Sequence, residues 1–315
     1  MMINLEKAAQ LLLQHDDILI LCHRNPDGDT LGSGFALKKL LQSLGKRARM
    51  ECETEIPPRY DTLFGALEEQ DSFTPAYVVA VDAADRKLLG TAAEPYPQID
   101  LAIDHHETNK DYALNTYVDA SAAAAAEIMF ELAPLLGAGL DLRTATALYV
   151  GVSTDTGCFV YSNTTSRSHR IAAELISYGI DLGSVNKLLF ETKTRSRIEI
   201  DKLALNSMEF LCGGAVAFVY LPLEALQSSG VTEDDLDGVS GMPRQIEGVR
   251  VGITLRGRAD GSYKASVRTT DVNAADICAR CGGGGHKRAA GCEFKTTLEE
   301  AKAALLKATE EVMLG

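Results

Sequence analysis

Ile18-Leu19-Ile20-Leu21-Cys22-His23-Arg24-Asn25-Pro26-Asp27-Gly28-Asp29 runs from an unbroken apolar segment straight into a loop of turn residues carrying an imidazole and two carboxylates. A short apolar run bounded by turn residues reads as a strand buried on both faces of a parallel sheet. Pro26 stiffens the loop, and Gly28 is expected to allow a tight or left-handed backbone between Asp27 and Asp29. His23, Asp27 and Asp29 can all turn inward there. The pattern recurs: Tyr77-Val78-Val79-Ala80-Val81 precedes Asp82, and Leu101-Ala102-Ile103 precedes Asp104-His105-His106. Asp155, in Ser153-Thr154-Asp155-Thr156-Gly157, is expected at a further strand end. In open α/β sheets the ligand crevice lies at the carboxyl ends of the strands. Carboxylates and imidazoles gathered there repel one another unless cations sit between them, so the cluster reads as a two-metal hydrolytic site. Oxygen ligands mixed with imidazole suit Mn²⁺, with Mg²⁺, Co²⁺ or Fe²⁺ as alternatives.

Around this stretch helix and strand signals alternate. Residues 5–14 and 30–44 have helical spacing, the second ending at Gly45, and 47–52 reads as a strand. Ser121 is placed to cap an Ala-rich helix continuing to 136, and 144–151, leading to Asp155, and 166–178 also read as helices. This order predicts an α/β fold with a doubly wound, mainly parallel sheet over residues 1–190. Residues 194–210 are charged and helical, which suggests a helical connector over 191–210. Strand signals at 215–221, 249–257 and 262–269, an Asp260-Gly261 turn, and helix signals at 274–281 and 298–313 predict a smaller α/β domain over 211–315.

Composition narrows the function class. The 315 residues are enough for two domains, and no apolar stretch approaches the roughly 20 residues needed to cross a bilayer. The N-terminus lacks a basic n-region and a small-residue cleavage site, and seven cysteines, mostly in apolar runs, point to reduced thiols and a cytoplasmic location. A net charge of −13 argues against tracking along nucleic acid with the whole surface. Residues 244–295 reverse the sign, with ten Lys/Arg against five Asp/Glu. That basic stretch suits an anionic ligand.

His23-x-x-Pro-Asp27-Gly-Asp29-x-x-Gly-Ser, Asp82, Asp104-His105-His106 and Asp155 resemble the successive motifs of the DHH phosphoesterase superfamily. Gly282-Gly283-Gly284-Gly285-His286-Lys287-Arg288-Ala289-Ala290-Gly291 looks like the signature of its DHHA1 domain, and size and order are most similar to the nanoRNase/3′-phosphoadenosine 5′-phosphate phosphatase branch. The resemblance implies that His23, Asp27 and Asp82 hold one metal, and Asp29, Asp82, His105 and Asp155 a second, with Asp82 bridging. It implies that His106 lies beside the scissile phosphate, with Asp104 orienting an imidazole. It further implies short RNA oligonucleotides, or nucleotides such as 3′-phosphoadenosine 5′-phosphate, as substrates, and the homodimer often seen in similar proteins; the lack of a long apolar stretch argues for no membrane partner.

Consecutive glycines let backbone N–H groups approach phosphate oxygens closely, so Gly283, Gly284 and Gly285, with His286, Ser266 and Arg268, are the expected substrate-binding residues. Cys278-x2-Cys281-x4-His286-x5-Cys292 nearly spells a zinc knuckle, but its last spacing is one residue too long and Cys278 falls in an apparent helix. Two other readings compete: turnover of cyclic or linear dinucleotides, and a non-catalytic nucleotide-binding protein. The second would be favoured by a missing metal ligand, and none is missing.

Overall fold

A computed structural model of the chain describes residues 1–65, 72–228, 230–231, 233–236 and 238–314. The chain divides into two compact units, Met1–Thr192 and Lys193–Gly315. In the first, strands β1 (Ile18–Leu21), β2 (Ala48–Glu51), β3 (Tyr77–Val81), β4 (Leu101–Asp104) and β5 (Asn115–Val118) form one parallel sheet in the order β2-β1-β3-β4-β5. Register is direct: Ile18 pairs with both Ala48 and Tyr77, Val79 with Leu101, and Leu101 with Asn115.

Period-2 alternation divides each buried strand between two cores. Ile18, Ile20, Val79, Val81 and Ile103 pack beneath helices α1 (Leu5–Gln14), α2 (Gly28–Ser43), α4 (Ala125–Leu136) and α5 (Leu142–Asp155). Leu19, Leu21, Val78 and Ala80 face a second layer built from Leu89, Ala93, Ile99 and Ala113 around the 3₁₀ segment Arg86–Ala93. The short helix α3 (Pro58–Phe64) follows β2. After α5 come α6 (Ser166–Ile176), α7 (Leu182–Asn186) and a π-helical turn, Lys187–Glu191. The strand order places the topological switch between β1 and β3, where an open α/β sheet opens its ligand crevice.

Three expectations need correction here. Asp155 ends helix α5, not a strand. Ser121 does not cap the Ala-rich helix, because its hydroxyl turns back to Asp119 at 2.6 Å and α4 starts after Ala124. Gly28 is the first residue of α2 and not left-handed; a Cβ on it would lie 2.4 Å from Thr154 Oγ1, so close approach to α5 is what requires glycine.

The second unit holds α8 (Arg195–Asn206) and strands β6 (Glu209–Leu211), β7 (Val216–Leu221), β8 (Val251–Gly257) and β9 (Tyr263–Thr269). Short helices α9 (Leu223–Ser228) and α10 (Glu233–Leu236) follow β7; α11 (Ala274–Arg280), β10 (Gly284–Gly285), β11 (Ala289–Phe294) and α12 (Leu298–Leu314) complete it. The sheet runs β10-β11-β9-β8-β7-β6, with only β7 and β8 parallel. One sheet face packs on α11 and α12 through Ile253, Val267, Ile277 and Leu305. The helical segment expected over 194–210 stops at Asn206, and Phe210 belongs to β6. Among the described residues no helix is long and apolar enough to cross a membrane.

Candidate metal centre

Each acidic cluster enters the site through a different element. The loop after β1 brings His23 and Asp27, and Asp27 also caps α2 by accepting N–H groups from Asp29 and Thr30, both at 3.0 Å. Asp82 follows β3 with φ +56, a left-handed backbone that costs a non-glycine residue about 1–3 kcal/mol and persists only where its surroundings enforce it. His105 and His106 follow β4. Asp155 arrives at the C-terminus of α5, which crosses α2 so closely that a Cβ at Gly32 would sit 2.3 Å from the Ala147 carbonyl.

The two oxygens of Asp82 face different histidines. Oδ1 lies 3.4 Å from His105 Nε2, and Oδ2 lies 3.7 Å from His23 Nε2. His23 Nε2 is also 3.6 Å from Asp27 Oδ1. His105 Nε2 is 3.8 Å from Asp29 Oδ2 and 3.5 Å from Asp155 Oδ2. Three groups therefore have ligand atoms close enough to share an ion: His23, Asp27 and Asp82; Asp29, His105 and Asp155; and Asp82, His105 and His106.

The hydrogen bonds of the imidazoles fix their orientation. His105 Nδ1 faces the Ala122 carbonyl at 3.3 Å, which turns Nε2 into the carboxylate cluster. His106 Nδ1 pairs with Asp104 Oδ1 at 2.8 Å. Asp104 is fully buried and also accepts N–H groups from His105 (2.8 Å) and Asn109 Nδ2 (2.7 Å). The carboxylate of Asp29, from α2, meets the N-terminus of α4, accepting from Ala125 N at 2.6 Å, Ala126 N at 2.9 Å and Ser33 Oγ at 3.1 Å.

Proton affinities report the crowding. Burial pushes Asp82 well above the usual carboxylate range, and the charges of Asp29 and Asp27 push it further. Burial and the Asp29 charge push Asp155 up to about 7. Burial also raises Asp29. Burial acts against the charge on His105, but Asp29 and Asp155 outweigh it and raise its affinity for a proton. The hydrogen bond that His106 Nδ1 donates to Asp104 raises the proton affinity of His106. Two buried atoms, Asp82 Oδ1 and His105 Nε2, have no hydrogen-bond partner. Orphaned buried acceptors facing each other across 3.4 Å, in a cluster of mutually repelling carboxylates, fit a divalent cation.

The second unit gathers the other predicted residues along one end of its sheet. Ser266 and Arg268 alternate on β9, opposite Gly291 and Ala289 of β11; Gly284 and Gly285 of β10 pair with Gly291 and Ala290. His286 closes the β10–β11 turn, its N–H reaching the Ala289 carbonyl at 2.7 Å. The glycines divide in role. Added Cβ atoms at Gly283 and Gly285 would lie 2.2 Å from the Gly291 carbonyl and 2.6 Å from Ala290 Cα, so internal packing demands glycine there, whereas Gly284 is exposed with open space beside it. Cys278 and Cys292 are buried, and among the described residues no metal group includes them or His286.

Sequence reasoning missed Asn109, the Ala122 carbonyl, the α4 N–H groups and strand β5. Asn109, five residues beyond Asp104, was the one with a visible signal; backbone groups carry none.

Residues 17–152 match the DHH family, N-terminal domain, and residues 213–314 match the DHHA1 domain. The bifunctional oligoribonuclease and PAP phosphatase NrnA of Thermus thermophilus is 34% identical over 302 residues, covering 93% of this chain and 89% of that protein. The Bacillus subtilis protein of the same name is 25% identical over 284 residues, covering 89% and 90%. An exopolyphosphatase-related protein from Bacteroides fragilis has the same fold, with a TM-score of 0.88 at 24% identity, covering 98% of this chain and 95% of that one.

Proposed function

The chain belongs to the DHH family, with a DHHA1 domain following in sequence, and on that footing we propose that it is a two-metal phosphoesterase. Its substrates are short RNA oligonucleotides, cut to mononucleotides, and 3′-phosphoadenosine 5′-phosphate, from which it removes the 3′-phosphate. The observation that carries the reading is Asp82, buried, left-handed, and with each oxygen facing a different histidine. The names of the Thermus and Bacillus relatives support the substrate class.

His23, Asp27 and Asp82 would hold one ion and Asp29, Asp82, His105 and Asp155 the other. Bound divalent cations, Mn²⁺ by preference, supply an activated water and positive charge for the phosphoryl oxygens. The chain's own groups do the rest. The Ala122 carbonyl and the α4 N-terminus hold His105 and Asp29 in place. Asp104 fixes the His106 ring through Nδ1 and raises its proton affinity, leaving Nε2 to protonate the departing oxygen. In the DHHA1 domain, Arg268, Ser266, His286 and the open backbone at Gly284 would bind phosphate or sugar oxygens. Seven unpaired cysteines suit a cytoplasmic setting.

The test compares release of mononucleotides from a 5′-labelled dinucleotide, a long RNA and 3′-phosphoadenosine 5′-phosphate, with Mn²⁺ and with chelator. Rapid cleavage of the dinucleotide and the bisphosphate, slow cleavage of the long RNA and none with chelator is the expected profile. Equal rates on both RNAs would remove the short-substrate preference, and full activity in chelator would remove the metals.

A further inference from the structure

The loop that follows Asp155 is built against ordinary backbone preference. Gly157, Cys158 and Phe159 have φ of 57, 56 and 65, so two consecutive non-glycine residues are left-handed. Each such residue costs about 1–3 kcal/mol and survives only where neighbours enforce it. Here they do. Cys158 N donates to the Ser153 carbonyl at 2.6 Å, and Val160 N and Tyr161 N both donate to the Thr156 carbonyl at 3.0 and 2.9 Å. Phe159 turns inward and stacks on His169, ring centroids 5.1 Å apart.

The consequence is that the next two side chains are thrust outward: Val160 is 79% exposed and Tyr161 54%. The tyrosine is nevertheless fixed. Its ring closes over Gly157, where an added Cβ would meet ring carbons at 2.4–2.6 Å. Asn163, two residues on, donates from Nδ2 to the carbonyls of Asp155 and Ala123, both at 3.1 Å. One of these residues is a candidate ligand, and the other adjoins Ala122, which orients His105. The loop is thus tied to the metal centre on both sides of the tyrosine.

We propose that Tyr161, flanked by Val160, is a nucleobase-stacking platform beside Asp155. This rests on the nucleotide-hydrolase reading above and deepens it. Metals and basic groups hold phosphates, but nothing among them holds an uncharged, planar base. A rigid, half-exposed aromatic ring does so without regard to base identity, because every base has a π-face.

Calorimetry with adenosine 5′-monophosphate and ribose 5-phosphate tests it, since the two differ only by the base. The intact chain binds the first about 5- to 160-fold more tightly, the span expected of one stacked base. Tyr161→Ala and Tyr161→Leu bring the ratio toward one, and Tyr161→Phe preserves it; Leu keeps apolar cover over Gly157, so a collapse there reflects loss of the ring. The KM for a dinucleotide rises by the same factor while kcat is little changed. No preference for the base in the intact chain, or a preference unaltered in both variants, overturns the platform. If the intact chain prefers the base but cleaves no dinucleotide, the platform stands and the reaction assignment falls.

Discussion

Asp82 joins strain, burial and unmet hydrogen-bonding capacity in one residue, and these have a measurable signature. Asn tolerates the left-handed region and keeps the shape, but it lacks the charge that two ions would share. Asp82→Asn should raise the melting temperature of chelator-treated protein, because a repelled buried charge is gone. It should lower hydrolysis by more than about 100-fold, since even outer partners of a metal site are worth 10–100-fold. Melting curves in chelator and initial rates with Mn²⁺ check both; a stability loss with retained activity would reverse the assignment. Asn109→Ala should fall within the 10–100-fold range itself, because it frees one oxygen of Asp104.

Helix α4 and the glycine hairpin show how elements are held by groups far away in sequence. The N-terminus of α4 has no side-chain cap of its own, and Asp29 from α2 takes its N–H groups. Behind it, Glu127 is fully buried, and Arg167 of α6 lies 3.5 Å from it while pairing with Asp119 (2.6 Å) and Glu131 (2.7 Å). Arg167→Leu leaves that carboxylate uncompensated, so a loss of about 3–5 kcal/mol is expected by urea denaturation, partly recovered by adding Glu127→Leu. In the β10–β11 hairpin, Gly285→Ala is expected to cost about 1–3 kcal/mol by crowding Ala290, whereas Gly284→Ala leaves stability unchanged. If Gly284 offers its N–H to phosphate, its variant raises KM alone. The sequence offered Gly283, Gly284 and Gly285 as equivalent; register and packing distinguish them.

Across the whole molecule, the charge of the metal centre makes stability depend on pH. Asp155, at about 7, and the raised Asp82 and Asp29 hold protons in the folded state that they release when unfolded. The folded chain therefore binds more protons between about pH 4 and 7, and stability falls as pH rises through that window. His105 and His106, also raised, add to the fall above their ordinary value. Asp27 and Asp104 are pushed up by burial but held below the usual range by His23 and His106, so their contribution is complete before this window opens. Chelated protein should thus melt lower at pH 8 than at pH 5, and Mn²⁺ should raise the melting temperature more at pH 8. A flat profile in chelator would mean that the carboxylates are not in conflict.

The apolar runs at 18–22, 77–81 and 101–103, each followed by ligand-type side chains, determined the parallel sheet and the chemistry at its edge. Local sequence suffices there because a strand buried on both faces must be apolar throughout, and the residue after it must fall at the crevice. What only the tertiary structure decided lies between distant segments: the close α2–α5 crossing, the capping of α4 by Asp29, and the Ala122 carbonyl that aims His105. Backbone donors and acceptors are the same in every residue, so no residue type marks which of them will be called into a site. Their partners are chosen by packing.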